Sequence, residues 1–162
     1  MPPPFEKADL RDELAERMAA ALATLESAHK TTQAGATHEQ AKPENDKDTR
    51  ALEQSYLARG QAVRVDELRA SLAEVRAMPV KAFAEGAPAA LGALALVEED
   101  GRATWVFLAP GGGGEKLGDG GEVTVVTPRS PLGRAILGKR TGDDADLTTQ
   151  GRRRALDVLD VK

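Results

Sequence analysis

Four carboxylates, Glu39, Glu44, Asp46 and Asp48, lie close together in a stretch that also holds Gly35, Pro43 and several polar residues. Carboxylate oxygens suit a hard cation. Mg²⁺ takes an octahedron of oxygens, which one or two carboxylates complete together with waters and phosphate oxygens. A cluster of this kind lends ligands without forming a complete active site, and the same residues equally serve a solvated turn kept polar by charge. Both readings stand on residue type alone. His29 and His38 have no partner cluster in the sequence and read as ordinary polar residues rather than as metal ligands or an acid–base pair. Gly111 to Gly114 with Lys116 lack the Gly-Lys-Ser/Thr and the following helix of a phosphate loop, so a flexible connection is expected there. Without cysteine there is no disulfide framework and no thiolate chemistry, and no arrangement of the Ser-His-Asp kind is visible.

Lys30, Lys42, Lys47, Arg50, Arg59 and Arg64 could form a basic stripe facing phosphates, or simply a solvated helical surface. Arg152, Arg153 and Arg154 are denser but suit an exposed hairpin turn. The formal charge of -4 argues against sequence-independent nucleic-acid binding over the whole surface, which needs many cations to neutralise phosphates. No apolar run approaches the roughly 20 residues of a membrane-spanning helix, and MPPPFEKADL lacks the apolar centre of a signal peptide. A cytoplasmic protein is expected.

The elements that must position these groups change character near Met78-Pro79. Before it, Leu10, Leu14, Met18, Ala21, Leu25 and Ala28 recur at helical spacing, and Leu52, Tyr56, Val63, Val65, Leu68, Leu72 and Val75 repeat the pattern. Two such stripes predict an antiparallel helical hairpin over residues 1–78, reversing between Ala34 and Lys47, with arms on the order of 35 to 40 Å. After it, strands are expected at 91–97, 104–108, 122–126, 145–149 and 155–161. Glu98-Glu99-Asp100-Gly101 would turn the first pair, and Gly151 the last. One short helix should follow Ser130, with Ser130 as N-cap, Pro131 in the first turn, Leu132, Ile136 and Leu137 facing a core, and Gly138 as the stop. The class is therefore α+β, with residues 79–162 as the second domain.

The run Ser130-Pro131-Leu132-Gly133-Arg134-Ala135, continuing through Leu137-Gly138-Lys139 to Gly142-Asp143, resembles the C-terminal signature of the bacterial Gre transcript-cleavage factor family. That resemblance implies an N-terminal coiled-coil hairpin and a small FKBP-like domain with one short helix. It also implies a monomer that binds RNA polymerase through the second domain and inserts the hairpin into the secondary channel. Ser130 and Pro131, with Leu132 beside them, would touch the rim of that channel; Arg129 stands where some members are acidic.

By the same resemblance the tip carboxylates, Asp46 and Glu44 first and Asp48 third, would help hold magnesium and water beside backtracked RNA. The metal would be shared with the polymerase, and no cofactor would be bound stably. Contact with nascent RNA, and with DNA inside the complex, follows from that location. The family's tip reads acidic residue, two spacers, Glu-Asn-Ala-Glu-Tyr; here the string is Pro43-Glu44-Asn45-Asp46-Lys47-Asp48, with Ala41 at the preceding acidic position. Two functions follow: stimulation of RNA cleavage by the polymerase's own active site, or regulation of the polymerase from the secondary channel without cleavage. A peptidyl-prolyl isomerase, suggested by fold analogy, fits poorly because the second half carries only Phe83, Trp105 and Phe107 as aromatics.

Overall fold

The structure is a computed structural model that describes the backbone of residues 4–40 and 45–162, and their side chains except those of 36–40 and 45–48. Two helices, α1 (Lys7–Gln40) and α2 (Asn45–Ala77), precede six strands: β1 (Leu94–Glu99), β2 (Arg102–Leu108), β3 (Lys116–Leu117), β4 (Val123–Val126), β5 (Asp144–Thr149) and β6 (Arg152–Val161). A single-turn helix, α3 (Pro131–Ile136), lies between β4 and β5. This is the expected α+β architecture, with β3 as a strand that sequence pattern did not predict. The chain forms two compact units, one of Glu16–Leu72 and one of Met1–Ala15 with Ala73–Lys162.

In the helical unit the two helices run antiparallel: Arg69 of α2 reaches Glu26 of α1 at 2.8 Å, while Gln54 lies beside Gly35. Helix extends further on both sides than the Ala34-to-Lys47 loop expected from composition, to Gln40 in α1 and from Asn45 in α2. Gly35 lies inside α1 because one glycine costs only about 1 kcal/mol against alanine, too little to end a helix that gains a hydrogen bond with each added residue. The buried stripe matches expectation at Met18, Val65 and Leu72 and departs from it elsewhere. Met18, Ala51, Val65 and Leu72 are buried, whereas Leu52, Tyr56 and Val63 are 53%, 60% and 56% exposed. Within the expected α2 series the side bearing Val65 and Leu72 packs, and the side bearing Leu52, Tyr56 and Val63 faces outward. Ala21 and Ala28 of α1 are likewise exposed.

The other unit is built on one mixed sheet of order β3-β4-β2-β1-β6-β5, in which only β2 and β4 run parallel. Asp100-Gly101 and Gln150-Gly151 make the two tight hairpins, all four residues with φ between 50° and 77°, the left-handed pair that two-residue hairpins require. Period-two alternation sends Ala95, Val97, Val106, Leu108, Leu147, Leu156 and Val158 to one face. There they form a core with Ile136 of α3 and with Phe83, Leu132 and Ala135 at its margin. Leu94, Phe107, Leu117, Val123 and Val125 point to the opposite face and are fully buried. The unit's own share of the long helices contributes buried Leu10, Leu14, Val75 and Met78. Phe5 meets Trp105 edge-on, and Glu13 accepts a hydrogen bond from the Gly118 N–H at 3.0 Å. Gly111 to Gly114, expected as a flexible connection, is tied to β4: the Gly114 N–H donates to the Val125 carbonyl, and the Glu115 carbonyl accepts from Val125. Among the described residues no helix is long and apolar enough to cross a membrane.

Candidate functional site

The segment around α3 is positioned by groups that are each satisfied locally. Ser130 has extended backbone angles, φ -71° and ψ 153°, as an N-cap should. Its hydroxyl accepts from the Gly133 N–H at 3.1 Å and the Thr127 N–H at 3.3 Å, and donates to the Thr127 carbonyl at 2.8 Å. A hydroxyl has one donor and two acceptor sites, so all three are used inside the fold. Pro131 opens the helix and is exposed. Gly133 is fixed by close approach: a Cβ there would sit 1.7 Å from the Thr127 carbonyl oxygen. Leu137, expected to face a core, is 42% exposed because as C-cap its backbone has left helical geometry, with ψ 127°.

The exit from α3 is stitched to two neighbouring segments, the one from Gly86 to Ala89 and β6. Gly138, at φ 80°, donates to the Ala89 carbonyl, and Ala89 donates to the Lys139 carbonyl. Gly142 donates to Val158, and Val158 donates to Asp143. The Asp143 carboxylate accepts the Arg140 N–H at 2.8 Å, and the Arg140 guanidinium donates to the Gly86 carbonyl at the same distance. The motif residues thus hold a short helix in one place on the sheet and leave Pro131 and one side of Leu132 accessible.

Beside Leu132 the sheet face is not covered. A recess of about 210 Å³ opens there, lined by Val97, Val106, Leu132, Leu147 and Leu156, with Thr104 and Thr124, and bordered by Arg102, Lys116, Arg154 and Glu99. Arg154 is held by Glu99 through two of its nitrogens, at 2.5 and 2.9 Å. The Lys116 ammonium donates to Thr124 at 2.6 Å, and Arg102 is exposed with no ion pair among the described residues. No aromatic side chain lines the recess, unlike the proline pocket that an isomerase would need.

Sequence reasoning reached Leu132 but missed Arg102. The signal was strand parity, since Arg102, Thr104 and Val106 alternate onto one face. Of the arginine cluster, Arg154 belongs to the recess, whereas Arg153 pairs with Asp146 at 2.6 Å and holds that carboxyl below its ordinary range through the hydrogen bond and its positive charge.

Glu44 lies outside the described residues, as do the side chains of Glu39, Asp46 and Asp48, although Asp46 and Asp48 fall in the first turn of α2. Among the described residues no group of three or more histidines and carboxylates is arranged to hold a metal. His29 belongs to the helical unit; its Nδ1 is buried and, like Oε1 of Gln61, has no hydrogen-bond partner among the described residues.

No family model and no curated protein matches the sequence. Solved structures to which the chain is similar include GreA factor homolog 1 (Gfh1) of Thermus thermophilus, at 19% identity and a TM-score of 0.39, covering 91% of this chain and 94% of that one. Gfh1 of Thermus aquaticus is 21% identical with a TM-score of 0.40, over 90% and 92% of the two chains. The prokaryotic transcription elongation factor GreA/GreB of Nitrosomonas europaea is 20% identical with a TM-score of 0.36, over 60% of this chain and 78% of that one.

Proposed function

We propose that the chain is a Gre-like transcription factor that binds RNA polymerase at the secondary channel. In this reading it stimulates cleavage of backtracked RNA by the polymerase's own active site. The observation that carries the reading is the Ser130-to-Asp143 run, in which Ser130, Pro131, Gly133, Gly138, Gly142 and Asp143, all shared with the Gre signature, build α3 and its exit. Residues 79–162 act as the docking domain, through Pro131 and Leu132; Ser130 supports them as the cap. Residues 1–78 act as the hairpin that enters the channel and contacts nascent RNA. Asp46 and Glu44, with Asp48 in support, would lend carboxylate oxygens to magnesium held in the polymerase, which when bound would supply an activated water and charge stabilisation of the leaving oxygen. The chain is an accessory to that reaction and not itself a nuclease.

A second reading has its own support in the string at the tip. With Ala41 at the position where the family carries an acidic residue, the tip is short of one carboxylate, as suits a regulator that occupies the channel without promoting cleavage. RNA cleavage by stalled, backtracked elongation complexes separates the two. Stimulation that is lost in Asp46→Ala and Glu44→Ala is the expected result. Stimulation that survives both substitutions overturns the tip assignment, and polymerase binding without stimulation favours the regulator.

A further inference from the structure

The sheet unit holds a second cavity, of about 340 Å³, where the start of α1 meets the segment that follows α2. It shares no lining residue with the recess beside Leu132. Three lysines line it, Lys7, Lys81 and Lys162, and no arginine does. Glu6 is the one carboxylate side chain among the described lining residues, and the Lys162 ammonium is already paired with Asp160 at 3.3 Å. Lys7 and Lys81 are thus left facing Glu6 alone.

Lys7 is the group this arrangement leaves least satisfied. Its ammonium lies 4.4 Å from the centre of the Phe83 ring and donates to the Lys162 main-chain oxygen at 3.1 Å. That oxygen also accepts the Leu94 N–H at 3.0 Å, so strand pairing between β1 and β6 fixes its position. Ring and oxygen hold the ammonium in place and leave at least one of its three protons for a ligand. Burial lowers the Lys7 pKa from its ordinary 10.5, as expected of a cation that has given up water without full replacement. An anion in the cavity would supply the missing partner. Ammonium groups act as point charges and suit the tetrahedral oxygens of phosphate, whereas a planar carboxylate is better matched by the arginine fork that is absent here. The volume lies in the range of small-molecule sites and exceeds what a bare phosphate fills, and Phe5 and Val80 line the remainder with apolar surface.

We infer that this cavity binds a small phosphate monoester, with the phosphate on Lys7 and Lys81 and the organic group against Phe5 and Val80. The site is independent of the proposed function, so either can fail without the other.

The test is a titration of the full-length chain, followed by amide NMR shifts, with phenyl phosphate, inorganic phosphate and phenol as probes. Phenyl phosphate should shift the signals of residues 5–8 and 80–83 and bind about tenfold tighter than either of the other two, since each supplies only half of the contact. Lys81→Gln and Lys7→Gln should each weaken phenyl phosphate by about tenfold. Lys116→Gln, at an exposed lysine outside the cavity, should bind like wild type. Lys81 is exposed, so its variant reports on binding even if Lys7→Gln disturbs the fold. Absence of shifts at these residues overturns the inference, as does undiminished binding by Lys81→Gln. Equal affinity for inorganic phosphate overturns the monoester, and equal affinity for phenol overturns the anion.

Discussion

The sheet unit and the helical unit solve the problem of burial in opposite ways. In the sheet unit Phe107, Leu94, Val106 and Ile136 are completely buried, and backbone hydrogen bonds tie the exit of α3 to the segment around Ala89 and to β6. In the helical unit the seam is narrow, Leu52, Tyr56, Leu57 and Val63 are all more than half exposed, and Arg69 with Glu26 and Asp66 supplies exposed ion pairs worth little each. The first unit is over-determined, so small groups there have no freedom. The second is a helix pair with slack, where a change adds or removes stability according to local propensity.

Two glycines sharpen the contrast. Gly133→Ala drives a Cβ into the Thr127 carbonyl and crowds the Ser130 hydroxyl at 2.9 Å, so α3 must lift from the sheet. The expected cost is about 3 kcal/mol, at the top of the range for overpacking, or on the order of 10 °C in the thermal midpoint. Polymerase binding should weaken with it. Gly60→Ala, in α2, has nothing within 4 Å of the new methyl and removes a glycine from a helix interior. It should raise helix stability by about 1 kcal/mol. Helical circular dichroism and hydrogen exchange of the full chain would show the opposite signs. Equal, small effects at both sites would mean that the sheet unit is as yielding as the helices.

A middle-sized effect is expected in the helical seam. The register set by Glu26 with Arg69 and Gly35 with Gln54 brings His29 and Gln61 within about one turn of each other on facing helices. Each buries a polar atom that has no partner among the described residues. An unpaired buried polar group costs roughly 1–3 kcal/mol, so His29→Leu should raise the stability of the helix pair by about 1 kcal/mol while leaving exchange in the sheet unchanged. A lower midpoint for the variant would show that His29 is hydrogen-bonded in solution and that the seam is better satisfied than its geometry shows.

How much of this was legible in the sequence differs between the units for the same reason. Around α3 the sequence is informative because each position is constrained separately: Ser130 as cap, Pro131 in the first turn and Gly138 at the exit were readable from residue type. Asp100-Gly101 and Gly151 marked their hairpins equally well. Gly133 was visible only as a motif letter, since close approach to a carbonyl six residues earlier is a tertiary fact. The helices were legible as helices but not in their packing, because Leu52-Tyr56-Val63 and Ala51-Val65-Leu72 both satisfy helical spacing. The expected series joined residues of both, and only Val65, Leu72 and Val75 of it are buried. β3 escaped notice because two residues carry no periodicity. The recess escaped because Arg102 reads as a turn charge until β2 is paired on both sides, with β1 and with β4.

The smallest expected effect lies at the edge hairpin β5–β6, where the sheet unit is as exposed as the helices. The Arg153 hydrogen bond and charge lower the Asp146 pKa from its ordinary 3.8, although both side chains face water. A carboxylate whose folded pKa lies below its unfolded one contributes stability that is present above the unfolded value and is lost as pH falls through the folded value. Thermal melts of wild type and Asp146→Asn should therefore differ slightly at neutral pH, with wild type higher. The gap should close as pH drops from the ordinary carboxylate range through the lowered pKa. Added salt at neutral pH should shrink the same gap, because an exposed pair is screened. A gap that is independent of both pH and salt would mean that Asp146 acts through the strand and not through Arg153, and the sheet's edge would then share the rigidity of its centre.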